Sequence, residues 1–576
     1  MITTRNSLCI LFILFFASMV TAQDISSIGK SNPLTVSGGI NLNQIAYGST
    51  GIDGRRDPYS FFFTGSLNFN LYGLDVPLSF SVSNQSSGFQ QPFNQYGIAP
   101  TYKWVTAYLG YNALTFSPYT LNGHIFNGVG VELKPEGKFS LTAMYGRLLK
   151  AVEPDTLNEV GSNPSYKRMG FGFKASYKDE ADYADLIFFS ASDQINSISY
   201  VPEELDVLPE DNLVLGLNVG KLLFQRLMIT AEVASSALTR DKRSEEIEPS
   251  GNLLANLGPF FTQRASSSFN TALKGSATYK ARIYSIGMTY ERIDPEYETL
   301  GAYFFNNDLE NITGNVAVAL LGGRVNLGLN AGSQRNNLGN TEVSSTNRFV
   351  GSLNVAYNPG PRLNMSGTFS NFQTFTNVRS QFVDINQLTP FDNLDTLDFT
   401  QIARSGNVNM NYIISQSKER SQNLNINLNV QTATDEQGGV EQASGSQFIN
   451  LNSAYSLRLP QRNLSLTASF NFNRNEITTQ QTTTLGPTIA IGKQFLEKKL
   501  RNTLSVSWNK TFSDASDGNR VLNVRLNSAY RLKDKHRMNA SVVFLNRNDG
   551  ATAGFSEYTV TVGYSYNFST NNNSNR

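Results

Sequence analysis

Residues 423–430 read NLNINLNV: Leu424, Ile426, Leu428 and Val430 alternate strictly with Asn423, Asn425, Asn427 and Asn429. Residues 521–532 repeat the pattern, with Leu522, Val524, Leu526, Tyr530 and Leu532 against Asn523, Arg525, Asn527 and Arg531. The theme recurs at 213–220, 325–332, 407–414 and 557–568. Successive side chains of a β-strand point to opposite faces, so each segment needs one apolar and one polar environment. Two architectures supply that: a set of soluble β-sandwiches, or a membrane barrel with lipid outside and water inside.

Composition narrows the function. Charged residues are 16% of the chain, against roughly 25% in a typical soluble domain. The net charge of +1 gives no electrostatic case for a nucleic-acid partner. Two His and one Cys leave little for a metal or thiol enzyme, so no cofactor, metal or catalytic residue is assigned.

Residues 1–22 read as a secretory signal peptide, with Arg5 in the n-region, Leu8 to Phe16 as apolar core and Val20-Thr21-Ala22 as cleavage site. The run is shorter than the ~20 residues a membrane-spanning helix needs. Cys9 lies inside the signal, and no Cys follows the cleavage point to support lipidation. The expected organisation is signal peptide 1–22, a short periplasmic segment 23–33, a barrel over 34–568, and a flexible polar tail over 569–576.

Three features favour the barrel. From residue 166 onward, short connections (179–182, 223–226, 321–323, 358–361, 460–462, 496–499, 533–536) mostly alternate with long ones (194–210, 240–268, 293–308, 377–400), as periplasmic turns and outer loops do in outer-membrane barrels. A two-residue link near Gln480-Gln481 breaks that alternation. Second, Tyr177, Tyr279, Tyr357, Tyr455 and Tyr530 fall on the apolar face, two to five residues before a short turn. An amphipathic ring suits the headgroup level, so these five form an expected periplasmic aromatic girdle. Third, residues 558–568 alternate aromatics up to Tyr564, Tyr566 and Phe568, the expected barrel-insertion signal.

The expected fold is all-β: a transmembrane, antiparallel, up-and-down barrel of about 24–26 strands, with no plug or periplasmic domain. An even number follows from placing both termini in the periplasm. The spread comes from residues 101–150, where 101–111, 113–120, 126–133 and 138–150 are four strands, or two strands with an inserted loop. Pro487, inside an expected strand, marks a bulge or a misplaced boundary.

The whole pattern resembles the large outer-membrane β-barrels of Gram-negative bacteria. The stretch FNQYGIAPTYKWVTAYLGY (93–111), continued by FSPYTLNGHIFNGVGVEL (116–133), is similar to a segment recurring in uncharacterised barrels of this kind, and no activity follows from it. The last strand resembles the C-terminal insertion signal of such barrels, which usually ends on the aromatic; here a polar tail follows. Strands begin about 12 residues after the cleavage site, leaving no room for a plug domain, periplasmic repeats or a passenger. The resemblance implies location in the outer membrane, contact with its lipid and lipopolysaccharide, insertion by the barrel-assembly machinery, and room for other outer-membrane or periplasmic protein partners.

Few residues suggest chemistry. His124, in LNGHIF with Ser117 nearby, has no nucleophile motif beside it and reads as a structural histidine. His536 lies in a basic turn, read as a solvated hairpin end. DASDGN at 514–519 suggests calcium ligands but lacks the Glu that closes an EF-hand loop, and Asp-Gly-Asn is also a hairpin turn. Gly322-Gly323 and Gly438-Gly439 are turns rather than phosphate cradles. The charge run RDKRSEEIE (240–248) is a solvated loop or a docking site for lipopolysaccharide phosphates. The expected lumen is polar and near neutral, lined by Asn425, Asn427, Asn523, Arg525 and Asn527, with no ring of one charge sign.

Size then ranks the functions. Twenty-six strands at ~4.8 Å spacing and ~40° tilt enclose a circle about 50 Å across. An open hole that wide would defeat the membrane's barrier. A porin-like or transport barrel occluded by its own loops is the leading expectation, with 84–100, 151–165, 240–268 and 377–400 as internal candidates. A scaffold or conduit subunit of a secretion or barrel-assembly complex comes second, an outer-membrane enzyme third, a soluble multi-domain β-protein last.

Overall fold

The structure, a computed structural model, describes residues 34–72, 74–84, 94–154, 164–199, 207–303, 307–339, 347–371, 404–433, 436–437, 440–441, 446–477, 480–513, 516–548 and 554–570. The expected signal peptide, the segment 23–33, most of the tail and loop 377–400 lie outside the described residues.

The strands are β1 (Leu34–Thr50), β2 (Tyr59–Leu71), β3 (Leu74–Ser83), β4 (Gln95–Ile98 continued by Thr101–Tyr102), β5 (Val105–Thr115), β6 (Asn122–Leu133), β7 (Phe139–Leu149), β8 (Lys167–Asp179) and β9 (Asp182–Gln194). They continue as β10 (Asp211–Leu223), β11 (Leu227–Thr239), β12 (Ser267–Lys280), β13 (Tyr284–Ile293), β14 (Leu309–Leu320), β15 (Val325–Arg335), β16 (Asn347–Gly360), β17 (Leu363–Ser370) and β18 (Arg404–Gln416). The last are β19 (Ser421–Ala433), β20 (Ser446–Leu459), β21 (Leu464–Ile477), β22 (Gln480–Phe495), β23 (Leu500–Ser513), β24 (Ser516–Leu532), β25 (His536–Asn548) and β26 (Phe555–Ser569).

Each strand pairs antiparallel with the next, and β1 pairs β26 from Ser37↔Ser569 to Thr50↔Ser556, closing the sheet. Closure gives every barrel strand among the described residues a paired neighbour on both sides, which hydrocarbon demands because it offers no hydrogen-bond partner. The barrel is therefore all-β and 26-stranded, at the top of the expected range.

The ambiguous region holds three whole strands and the last two residues of β4, whose main part, Gln95–Ile98, was expected as part of loop 84–100. Thr101-Tyr102 ends β4 and Val105 begins β5, with Tyr102↔Val105 closing the hairpin. A strand over 101–111 would have run through that turn. Residues 116–121 are a loop, not part of a strand 113–120. Pro487 sits within β22, opposite Phe470. The ladder to β23 skips Gly486 and Pro487, then resumes in the same register at Thr488↔Ser507. The missing amide thus produces neither a register shift nor a boundary.

The connections sort by end. All twelve links from an even-numbered strand to the following odd-numbered one are short, and many carry non-glycine residues at positive φ, such as Glu180 (52°), Phe224 (51°), Asn463 (50°) and Lys533 (57°). At the opposite end, long loops predominate, with two-residue links at 478–479 and 514–515.

Candidate functional site

Two loops at the long-loop end meet although their strands are far apart in the sheet: 116–121, between β5 and β6, and 294–303, between β13 and β14. The Tyr297 hydroxyl donates to the Tyr119 carbonyl at 2.7 Å, and the Thr299 hydroxyl to the Thr120 carbonyl at 2.8 Å. The Asn122 amide donates to the Gly301 carbonyl at 2.9 Å. Gly301 has to be glycine: a Cβ there would lie 2.5 Å from the Thr120 carbonyl oxygen and 2.9 Å from the Phe189 ring.

Side chains from strands between β5 and β14 converge on this pair of loops, including Phe126, Leu148, Ile187, Phe189, Val214 and Leu238. Only the concave side of a sheet lets strands so far apart reach one loop, so this face is the lumen. Polar anchors fix the loops. Asn212 on β10, fully buried, accepts from the Leu300 amide at 3.1 Å, and Ser236 on β11 donates to the Glu298 carbonyl at 2.6 Å. Tyr119 donates to Glu291 on β13. Burial pushes the Tyr297 hydroxyl far above its ordinary range; burial and then Glu291 do the same for Tyr119. Both phenols therefore remain donors. Beside the plug, Arg168 forms a two-pronged pair with Asp193 (2.9 and 2.8 Å) and reaches Glu210 at 2.6 Å.

The opposite face is the barrel's exterior. Phe188, the neighbour of inward Phe189, joins Leu213, Ala237, Leu254 and Phe261 in a separate cluster. Phe260 packs on Phe188 at 5.1 Å and on Phe171 at 6.2 Å. Loop 240–268, expected inside, therefore folds over the outside, because its apolar residues meet the outward set of β8–β12. Its charges largely pair locally: Arg243 with Asp241, Arg264 with Glu246. Arg243 holds the Asp241 carboxyl below its usual value. Loops 84–100 and 151–165 are only partly described and 377–400 lies outside the described residues; among the described residues, the loops that meet on the lumen side are 116–121 and 294–303, neither of which was among the internal candidates.

The other half of the lumen wall is built differently. Register aligns Asn409, Asn427, Asn452 and Asn471 across β18–β21, and Asn407, Asn429, Asn450 and Asn473 on the next row. Asn452 donates to Asn471, Asn471 to the Thr488 hydroxyl at 3.4 Å, and Asn423 to Asn411 at 2.8 Å. Asn425, opposite Asn411 and Ala454, lies on this wall with Asn427.

Asn523, Arg525 and Asn527 share one face of β24, but not one environment. Asn523 is only 3% exposed, which corrects its expected water contact. It sits opposite Leu545, whose cluster with Val521 and Phe555 is joined by Ile52 of loop 51–58. Arg55 of that loop lies over Phe555 and 3.5 Å from Glu557. Four residues nearer the short turns, Asn527 is exposed. The inner face of β24 is therefore covered toward the long loops and exposed toward the short turns.

At the short-turn mouth the sequence reading missed an arc of one sign. Arg458, Arg501, Arg531 and Arg537 occupy inner-face positions on β20, β23, β24 and β25, set by register with Ser465, Gln494 and each other. They are scattered over eighty positions of sequence; their nearness to short turns was the available signal.

The remaining expected residues fall as follows. Tyr177, Tyr279, Tyr357, Tyr455 and Tyr530 are on the outward face near short turns, Tyr177 beside Phe139 at 5.2 Å. Tyr564, Tyr566 and Phe568 share the outward face of β26, with Tyr566 stacked on Phe568 at 5.3 Å. His536 is no bare hairpin end: its Nδ1 lies 2.7 Å from the Tyr564 hydroxyl. His124 is buried, stacked on Tyr303 at 4.1 Å, with Nδ1 2.9 Å from the Ile125 carbonyl oxygen. Ser117 pairs instead with the Thr120 hydroxyl at 2.9 Å. DASDGN spans the β23–β24 turn, with the side chains of 514–517 outside the described residues.

A closed 26-stranded sheet, outwardly studded with exposed residues such as Leu186, Met288, Ile489 and Val562, defines the class: a large transmembrane β-barrel of the outer-membrane type. No family model matches the sequence, and no curated protein is similar to it. Among solved structures, the chain is similar to the P pilus usher (PapC) translocation pore, with 10% identity, TM-score 0.34, and 93% of this chain and 99% of that one covered. It is also similar to the FrpB iron transporter from Neisseria meningitidis (11% identity, TM-score 0.37, 92% and 82% covered). A third is Pseudomonas aeruginosa OccK7 (11%, 0.27, 75% and 98%). At these scores the likeness says nothing about cargo.

Proposed function

We propose that the protein is a porin-like conduit of the outer membrane for small polar solutes, narrowed by its own loops. The observation that carries this is the hydrogen-bonded asparagine wall of β18–β21, whose neutral amides offer donors and acceptors without favouring one ion sign. The plug made by 116–121 and 294–303 packs on the inner face of β5–β14 and so narrows the passage that 26 strands alone would enclose. In this reading both termini and the short turns face the periplasm. The five tyrosines sit at the inner headgroup boundary, and Tyr564, Tyr566 and Phe568 guide insertion by the assembly machinery. The long loops meet lipopolysaccharide.

Liposome swelling with uncharged sugars of increasing size tests it: entry of small sugars with a sharp size cut-off supports the conduit, and exclusion of all of them contradicts it. A second reading, a conduit or scaffold subunit of a secretion or assembly complex, draws on the short-turn mouth, where a periplasmic partner would seat. Stoichiometric partners retained by an otherwise sugar-impermeable barrel would favour it.

A further inference from the structure

The basic arc at the short-turn mouth has a built pocket in it. A cavity of about 370 Å³ is lined by, among others, Arg458, Asn463, Ser465, Gln494, Lys498 and Arg501. Three cationic side chains thus meet one concavity, and no acidic residue lines it. Among the described residues, neither Arg458, Lys498 nor Arg501 has an ion pair with a carboxylate.

A second observation comes from the neighbouring strands. Arg531 on β24 stands directly opposite Arg537 on β25. Like charges directly opposed across a sheet repel, an arrangement that a bound anion would relieve. The turn linking β24 to β25 adds Lys533 and Lys535 against a single Asp534. A chain whose net charge is only +1 has concentrated positive charge on one arc of one mouth.

We propose that this pocket binds the phosphate group of a small solute at the short-turn mouth. The planar guanidinium forks of Arg458 and Arg501 suit two-pronged pairing with such a group, and Lys498 supplies a movable point charge. Gln494 offers a neutral amide donor beside them. Placing the site at a periplasmic mouth rests on the conduit reading; the binding itself does not.

Calorimetric titration of inorganic pyrophosphate into the detergent-solubilised full-length protein, at low salt, tests the pocket. The expected result is saturable binding that weakens at least tenfold in Arg458→Gln/Arg501→Gln. Lys498→Gln, in an exposed turn, should weaken it several-fold without touching a strand, and Lys134→Gln, on the far side of the barrel, should leave it unchanged. Heat-modifiable mobility on SDS gels confirms folding of each variant. Absence of saturable binding in the unmodified protein, or unchanged binding in both pocket variants, overturns the proposal. A barrel that binds pyrophosphate but passes no sugar would refute the conduit and leave the pocket standing.

Discussion

The Tyr297 hydroxyl bonds the carbonyl of Tyr119, a residue 178 positions earlier in the chain, at 2.7 Å. That bond ties two loops together across the concave side of the sheet, and Tyr297 is fully buried. Removing a large buried aromatic side chain costs about 3–5 kcal/mol. Tyr297→Ala should lower the stability of the folded barrel by about that much, whereas Tyr297→Phe should lose only the hydrogen bond, about 1 kcal/mol. Urea unfolding of refolded protein in detergent or vesicles measures both. Equal small losses would mean the plug is not packed as described.

The inward–outward assignment of β24 is tested by adjacent residues. Leu526 is 42% exposed on the same face as Val542; Asn527 is exposed on the lumen side. Arginine at a lipid-facing midplane position costs about 2–4 kcal/mol. Leu526→Arg should sharply reduce folded yield, and Asn527→Arg should be tolerated. The reverse order would invert the faces.

Much of this was legible in the sequence because period two is the fold's own signature. Leu424 to Val430 and Tyr558 to Phe568 show which face is apolar without any long-range information, and closure follows from counting. What the sequence hid is contact across the lumen. FSPYT (116–120) looked like the end of a strand, yet Phe116 and Tyr119 are apolar to meet the cluster that holds Tyr297 and Leu300, far along the chain. Loop 240–268 hid the opposite error: it was expected inside, but its Leu254 and Phe261 pack outside. Asn523 looked wet because alternation reports a face, not what covers it. The arginine arc was missed because register, not sequence proximity, assembles it; only the nearness of each arginine to a short turn hinted at it.

The asparagine wall makes an electrical prediction. Asn427→Asp or Asn452→Asp would introduce a negative charge into a row of neutral amides. Reversal potentials in a potassium chloride gradient should shift toward cation preference, while the unmodified barrel discriminates weakly. No shift in either variant would mean ions do not pass along this wall.

The aromatic end of β26 should govern assembly. Phe568 stacks on Tyr566 on the outward face, so Phe568→Asp would place a carboxylate at the lipid boundary. The amount of folded protein in the outer membrane should fall severalfold with export across the inner membrane intact, and deletion of 571–576 should matter little. Membrane fractionation with protease shaving reads both; the opposite pattern would misplace the barrel's end.

The most direct test of a loop-narrowed conduit is single-channel recording of the purified barrel in planar bilayers, alone and as Gly301→Leu. The leucine side chain would collide with Thr120 and Phe189 and force the two loops apart. The account predicts small, stable conductance steps for the unmodified protein and clearly larger ones for the variant. Folded protein that is silent in both forms, or steps of the same size in both, would contradict it.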